Sequence, residues 1–226
     1  MTAAGQGMGA AIARELDADG YKLALMSRSG TAKKLAESLH GLGLNGSVTD
    51  PDALQRLVDL TLQKYGRIDA VVNNTGHPPS GDLLEITDDD WHAGLELVML
   101  NVVRMARLVT SVMLAQGRGT IVNISTFAAF EPDAAYPVSA AMRAALAGYT
   151  KLYSDRYAAG GIRMNNVLPG FIDSYPETEQ QLSRIPMARF GTVTEIARTT
   201  RFLLSPDAGY ITGQNIRVDG GMTRSV

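Results

Sequence analysis

Helical and strand-like segments alternate along the whole chain, and this alternation limits the folds open to it more than any other feature. Strands that alternate with helices of about 10–25 residues form βαβ units, which predict a mostly parallel sheet covered by helices on both faces. The predicted helices are 7–18, 31–39, 51–65, 88–116, 134–159 and 194–204. The predicted strands are 21–26, 45–48, 68–72, 119–124, 163–168 and 215–218. No repeat, linker or charge block divides the 226 residues, so we predict a single α/β domain over residues 1–226.

Composition excludes several classes of function. The 21 basic and 23 acidic residues nearly balance, which gives no electrostatic basis for binding nucleic acid. The absence of Cys excludes disulfides, thiolate zinc sites and a thiol nucleophile, and the three His lack metal-ligand spacing, so no metal is predicted. No apolar run of about 18–20 residues indicates a membrane span. The amino-terminal residues do not resemble a signal peptide, so we expect a soluble cytoplasmic protein with no membrane partner.

A glycine-rich turn opens the first predicted helix. Its residues fit the pattern G-x-G-x-x-A, in which glycines allow backbone N–H groups to approach a pyrophosphate at the helix N-terminus. An ordinary glycine-rich turn is the alternative interpretation. The position of the turn at the start of a βαβ-like unit favours a dinucleotide site in a Rossmann-like, doubly wound parallel sheet. The turn consists of Gly5, Gln6, Gly7, Met8, Gly9 and Ala10.

The residue that ends the next strand indicates which dinucleotide is preferred. A site for NAD has Asp or Glu about 20 residues after the glycine turn, where the carboxylate binds the ribose 2′-OH. This sequence has Ser27 and Arg28 there. Because a guanidinium suits a 2′-phosphate, the sequence predicts a preference for NADP(H), with NAD(H) as the alternative. Arg28 as a simple solvated surface charge is the competing interpretation.

The strand that should precede the glycine turn is nearly absent from the sequence. Only Met1, Thr2, Ala3 and Ala4 precede Gly5, whereas a strand typically has about 5–6 residues. We therefore expect the first, central strand to be truncated or missing. Three explanations remain open, in this order: a true start upstream of Met1, a shortened chain, or a gap in the sheet.

Seven short segments carry the strongest family signal. They are Thr2–Gly9, Asn73–Gly76, Asn101, Ile121–Thr126, Tyr136–Ala140, Asn166–Ser174 and Tyr210–Gly221. In this order and spacing they resemble the motifs of the short-chain dehydrogenase/reductase family, of the 3-oxoacyl-acyl-carrier-protein reductase type. The resemblance covers almost the whole chain. It implies a dinucleotide site formed by Thr2, Gly5, Gln6, Gly7, Met8, Gly9, Ser27, Arg28, Ser47, Val48, Asn74, Thr75, Gly76, Pro169, Gly170 and Ile172.

The resemblance also implies the reaction, which is hydride transfer between a nicotinamide and a carbonyl or alcohol carbon. Tyr136 is then the general acid that protonates the developing alkoxide. A hydroxyl beside it holds the same oxygen, and the motif favours Thr126 with Ser125 in reserve. Asn101 occupies the position of the family's proton-relay Asn, although a mid-helix residue that only bends the helix is an equal alternative.

Residue 140 departs from the family pattern. The family has a Lys four residues after the Tyr, which binds the ribose and lowers the pKa of the phenol, whereas this sequence has Ala140. Arg143 lies about 10 Å farther along the helix than Tyr136 and is expected to be a poor substitute. We therefore expect a reductase-biased or weakened enzyme. A redox-inactive cofactor-binding protein and a non-redox enzyme of the same scaffold are the alternatives.

The implied substrate is a small carbonyl compound or secondary alcohol. By resemblance, the helix at 88–116 and the helix beginning at 134 form the contacts of a homo-oligomer, either a tetramer or a dimer. The sequence does not identify the physiological substrate.

Overall fold

A computed structural model describes residues 1–174 and 176–225. The helices are α1 (Gly7–Ala18), α2 (Thr31–Ser38), α3 (Pro51–Tyr65), α4 (Asp88–Gly94), α5 (Asn101–Gln116), α6 (Pro137–Tyr157), α7 (Glu179–Leu182) and α8 (Val193–Leu204). The strands are β1 (Ala24–Ser27), β2 (Leu42–Asn45), β3 (Ala70–Asn73), β4 (Gly119–Ile124), β5 (Ile162–Pro169) and β6 (Asn215–Val218). A π-helical turn, Leu95–Leu100, joins α4 to α5.

The strands form two parallel groups that a short extended segment joins. One group has the order β1-β2 and the other the order β3-β4-β5-β6. Between them, the Thr2 N–H donates to the Val72 carbonyl at 3.1 Å and the Ala4 N–H donates to the Met26 carbonyl at 3.1 Å. The amino-terminal residues therefore supply the pairing of a central strand next to the carboxyl ends of β1 and β3. This arrangement confirms the predicted doubly wound parallel sheet.

A cavity of about 880 Å³ lies at the amino ends of β1, β3, β4 and β5, below Met1 and Thr2. Its wall includes Leu23, Ile68 and Val71. This cavity is at the opposite edge of the sheet from the carboxyl ends of the strands, where open α/β sheets bind their ligands.

The helices cover both faces of the sheet. Neighbouring strand residues point to opposite sides, so Val72 and Val122 pack with α1 and α8, while Val71 and Ile121 pack with α3, α5 and α6. These near-continuous apolar strands are typical of a parallel sheet buried on both faces. Side-chain caps fix several helix starts, including the capping boxes that begin α4 and α8.

Several predicted boundaries were wrong. The strand predicted at 45–48 is β2, Leu42–Asn45, and Ser47 and Val48 instead belong to the turn that enters α3. The predicted helix at 88–116 contains the π-helical turn. By length and composition the run Asp88–Gln116 would also pass as a membrane-spanning helix. In the fold, however, α5 buries Met105, Val109 and Met113 against the sheet.

Candidate active site at the carboxyl edge of the sheet

The glycine-rich turn packs closely against the rest of the protein, and glycine lets its backbone approach the neighbouring segments. A Cβ on Gly9 would lie 2.2 Å from the Ala3 carbonyl oxygen, and one on Gly5 would lie 1.8 Å from Thr31 Oγ1. Gly7 has a φ of +51°, which favours glycine, and among the described residues its added Cβ would contact only Ser174 Cβ, at 3.8 Å. Gln6 makes no side-chain cap, so the first N–H groups of α1 remain available to an anion.

Buried hydrogen bonds hold this turn against the end of β3. The Thr2 hydroxyl donates to the Asn74 carbonyl at 2.7 Å and accepts from the Asn74 N–H at 3.0 Å. The Asn74 side-chain amide donates to the Ala3 carbonyl at 3.1 Å. Thr2 and Asn74 were both predicted to bind the cofactor. In the structure, the Thr2 hydroxyl and the Asn74 amide hydrogen-bond to the backbone and so fix the shape of the turn. The next residues differ, because within the described part of the chain the buried Thr75 Oγ1 has no hydrogen-bond partner and a Cβ on Gly76 would meet no other atom within 4 Å.

Arg28, which was predicted to bind the 2′-phosphate, lies directly after β1, at the carboxyl ends of β1 and β2. Arg28 is exposed, and the structure shows no ion pair for it among the described residues. Ser27 Oγ accepts from the Ala32 N–H at 3.0 Å and so fixes the start of α2. Ser47 Oγ lies 2.8 Å from Thr49 Oγ1. The Val48 side chain packs into the core, so only its backbone remains for a ligand.

The end of β5 brings three more predicted residues to the same edge. Pro169 is the last residue of β5 and pairs with Val218. Gly170 donates to the Val218 carbonyl at 3.0 Å, and a Cβ on Gly170 would lie 2.8 Å from Asp219 Cα. Ile172 is buried and forms an isolated bridge with Gly191. The closely packed backbone of residues 169–172 borders the carboxyl edge of the sheet.

Two hydroxyl residues follow β4. Ser125 continues the pairing of β4 through its N–H, which donates to the Val167 carbonyl at 2.8 Å. Its side chain is buried, and its Oγ has no hydrogen-bond partner among residues 1–174 and 176–225. Thr126 is extended and half-buried and precedes a short 3₁₀ turn, Phe127–Ala129. Both residues lie beyond β4, which ends at Ile124, so strand alternation does not choose between them.

Tyr136 and Ala140 lie in very different environments. Tyr136 is the N-cap residue of α6, is 40 % exposed, and its phenol makes no hydrogen bond to a described residue. Ala140 is 4 % exposed and packs with Phe127, Ile185 and Phe190. The position where the resemblance places a Lys is therefore an apolar cluster in this protein.

Arg143 is the charged residue that the sequence analysis undervalued. Its side chain is 6 % exposed, its Nε donates to Ser139 Oγ at 3.2 Å, and its Nη1 donates to the Ile124 carbonyl at 2.9 Å. Burial lowers the pKa of the guanidinium to about 10. Partial burial, together with the charge of Arg143, lowers the pKa of His77 in the segment after β3. The distance from Tyr136 along the helix axis did not indicate the contact of Arg143, because its long side chain reaches the end of β4.

Comparison with known proteins agrees with this geometry. A family model described as enoyl-(acyl carrier protein) reductase matches residues 2–223. The chain is a short-chain dehydrogenase/reductase. A Synechocystis 3-oxoacyl-acyl-carrier-protein reductase is 35 % identical over 98 % of this chain and 95 % of its own length. A Thermotoga maritima protein of the same name is 37 % identical over 78 % of this chain and 74 % of its own length.

Solved structures give the same result for this short-chain dehydrogenase/reductase. YwfH, described as an NADPH-dependent reductase involved in bacilysin biosynthesis, matches with a TM-score of 0.93 and 28 % identity over 100 % of this chain and 97 % of that chain. A Thermus thermophilus protein matches with a TM-score of 0.90 and 29 % identity, over 98 % of this chain and 96 % of its own. Family membership and the enzyme class predicted from the sequence are confirmed.

The residues of this short-chain dehydrogenase/reductase fit a dinucleotide. The glycine turn is close-packed on the protein side and open at Gly7, and the unpaired Thr75 and Ser125 hydroxyl oxygens lie after β3 and β4 on the same edge. A cavity of about 590 Å³ lies against the turn and is bounded by Gln6, Arg14 and Val193, among others. Within the described ranges, no cluster of three or more His, Asp or Glu is placed to hold a metal ion.

Asn101 makes a local side-chain contact within its helix. It is buried at the first position of α5, and its side-chain amide donates to the Leu97 carbonyl inside the π-helical turn. This bond satisfies a carbonyl in the irregular turn. In this structure, Asn101 bonds to the backbone of the π-helical turn, and its role in proton relay remains a prediction.

A buried asparagine ladder crosses the sheet of this short-chain dehydrogenase/reductase, and the sequence analysis missed it. Asn73 donates to Asn123 at 2.9 Å, Asn123 to Asn166 at 2.9 Å, and Asn166 to Asn215 at 2.7 Å. These residues are in register on β3, β4, β5 and β6. An Asn in each of four strands was the available signal, but only the register shows that the side chains meet.

Proposed function

We propose that this enzyme reduces a carbonyl compound to an alcohol with NADPH. The observation that carries the proposal is the unpaired, buried Ser125 hydroxyl at the end of β4, on the same sheet edge as the open glycine turn. A buried hydroxyl without a partner costs free energy, so a ligand oxygen that accepts its hydrogen bond is favoured there. The relatives are reductases by name, and YwfH is described as NADPH-dependent.

The choice of NADPH rests on Arg28. It is exposed after β1, has no described ion-pair partner, and no acidic residue stands in its place to bind a ribose hydroxyl. In this proposal, Arg28 binds the 2′-phosphate, the N-terminus of α1 binds the pyrophosphate, and Pro169, Gly170 and Ile172 border the nicotinamide. The bound cofactor supplies the hydride.

The chain supplies orientation and a proton. A hydroxyl at the end of β4 donates to the carbonyl oxygen of the substrate and stabilises the negative charge that forms on it. Tyr136 is the proposed donor of the proton that completes the alcohol, because its phenol is exposed and its O–H makes no hydrogen bond to a described residue. Alcohol oxidation would need this phenol as a base, and Ala140 provides no cation to assist, so the proposed enzyme favours reduction.

The substrate class and the assembly are part of the same proposal. The named relatives make 3-oxoacyl thioesters the first substrates to test, followed by small ketones. We also propose a homo-oligomer, with the surface of α5 and α6 as its interface. Leu114 of α5 and Leu152 of α6 are exposed large apolar side chains, which a second copy of this chain would cover. We propose a cytoplasmic location.

A second candidate function is cofactor binding without reduction. The exposed Tyr136 phenol and the apolar surroundings of Ala140 favour it, because both depart from a preassembled proton donor. The same experiments decide between the two functions.

The test combines binding with turnover. Fluorescence titration with NADPH and NADH is expected to show tighter binding of NADPH, and a panel of 3-oxoacyl thioesters and ketones is expected to show NADPH oxidation. Ser125→Ala and Thr126→Val then identify the hydroxyl that holds the substrate, and Tyr136→Phe tests the proton donor. Tight binding of NADPH without turnover of any substrate would support the second function, and failure to bind either dinucleotide would overturn both.

A further inference from the structure

The side chain of Arg143 is a buried positive charge with no acidic partner among the described residues. It is 6 % exposed and takes part in no ion pair among the described residues, and its hydrogen bonds go to two uncharged oxygens, Ser139 Oγ and the Ile124 carbonyl. Charged side chains are almost never fully buried unless paired, because removing a charge from water is costly. A protein that retains such a charge needs a compensating interaction, and a developing negative charge on a bound substrate would provide one.

The guanidinium is placed beside the proposed carbonyl site. Its Nη1 donates to the carbonyl of Ile124, the last residue of β4, which directly precedes Ser125 and Thr126. Its charge also contributes to lowering the pKa of His77, in the segment that follows β3. The cation therefore lies where α6 meets the carboxyl ends of β3 and β4.

Arg143 also fixes a third hydroxyl. The Nε–H donates to Ser139 Oγ at 3.2 Å, and Ser139 is half-buried one helical turn before Arg143 on α6. Since the Ser139 oxygen accepts this hydrogen bond, its own O–H proton remains free to donate. A hydroxyl that accepts from a cation is also a better donor, because the charge polarises it.

We propose that Arg143 is a positioning residue of the carbonyl site, which holds the Ser139 hydroxyl as a hydrogen-bond donor and stabilises negative charge on the substrate oxygen at the end of β4. No bond to Arg143 or Ser139 forms or breaks, and both act only through hydrogen bonding and charge. This inference rests on the proposed carbonyl reduction and adds a residue pair that the motif comparison did not include.

The main test compares Arg143→Met and Arg143→Lys with wild type. Loss of one donor from a site of this kind lowers kcat by about 100- to 1,000-fold. We expect Arg143→Met to lower kcat by about 100-fold with little change in KM or in NADPH affinity, and Arg143→Lys to recover part of kcat. Ser139→Ala should lower kcat by about 10-fold or more and should not add to the effect of Arg143→Met in the double variant.

Lys151→Met is the matched control for loss of a cation from the same helix. Its ammonium is exposed and paired with Asp155, so kcat is expected to stay at the wild-type value. Thermal unfolding of every variant shows whether it folds. If Arg143→Met does not fold, Ser139→Ala and Arg143→Lys carry the test, since the first removes only a hydroxyl and the second keeps the charge.

A readout without turnover separates this inference from the proposed function. Benzoate is a negatively charged probe of the carbonyl site. Calorimetric titration with NADP⁺ present is expected to show that benzoate binds to wild type and binds at least tenfold more weakly to Arg143→Met. An enzyme that binds NADPH but reduces no carbonyl would overturn the proposed function, and the benzoate result would then decide the inference alone. Unchanged kcat and unchanged benzoate affinity in folded Arg143→Met and Ser139→Ala would overturn the inference.

Discussion

Replacing Ala140 by Lys tests whether position 140 can hold the cation found there in the family pattern. Ala140 is 4 % exposed and packs among Phe127, Ile185, Phe190 and Met222. A longer side chain overpacks this cluster, which costs about 1–3 kcal/mol. A Lys also buries an ammonium, which costs several kcal/mol more if no partner is present. We expect Ala140→Lys to destabilise the fold and not to create an oxidation catalyst.

Ala140→Met is the matched control, because it adds similar volume without charge. In urea unfolding at pH 7, the Lys variant should be about 2–4 kcal/mol less stable than the Met variant. Burial lowers the pKa of this Lys in the folded state below its unfolded value of about 10.4. The unfolded state therefore binds more protons between these two values, and the gap between the variants should close as pH rises towards about 10.4. Equal stabilities at pH 7, together with faster alcohol oxidation by Ala140→Lys, would refute this reasoning.

Three further predictions address other parts of the molecule. Arg28→Ala should weaken NADPH binding by about 10-fold or more while NADH binding stays the same, as measured by fluorescence titration; equal losses for both would refute the phosphate assignment. Asn123→Leu leaves ladder partners unpaired on both neighbouring strands and should lower the free energy of unfolding by about 3 kcal/mol, whereas Asn215→Leu, at the end of the ladder, should cost about 1 kcal/mol. A hydrogen bond from Arg189, with help from the Thr192 N–H, lowers the pKa of Glu195 to about 2. Wild type should therefore exceed Glu195→Gln in stability by about 0.5–1 kcal/mol above pH 4.5, and this advantage should disappear as pH falls through about 2 in pH-dependent urea unfolding.

The course of the backbone was largely predictable because it depends on local patterns. The glycine-rich turn was predictable because Gly5 and Gly9 lie where any added Cβ would clash with neighbouring atoms. The prediction of a strand at 45–48 was wrong because the apolar pattern around Leu42 and Leu44 is short and weak. Pairing with β1 settles the register of β2, and local sequence does not contain this information.

The sequence allowed the predicted site residues to be placed at one sheet edge, but not their individual contacts. The order of motifs correctly indicated one sheet edge, because the carboxyl ends of parallel strands meet there. Thr2 and Asn74 were predicted to bind the cofactor, which stays a prediction, and the structure shows that their polar groups bond to each other and to Ala3. Sequence spacing shows that two residues share an edge, but it does not show which atoms their hydrogen bonds consume.

The sequence by itself determined the alternation of helices and strands, the glycine turn and the family, because each depends on residues close together in the chain. Only the tertiary structure decided that Arg143 is a buried cation, that Ala140 lies in an apolar cluster, and that four asparagines form a ladder. These properties depend on the distance between side chains far apart in sequence. Burial and hydrogen bonding, which set the energy of a charge or an amide, are fixed only when the strands and helices have packed.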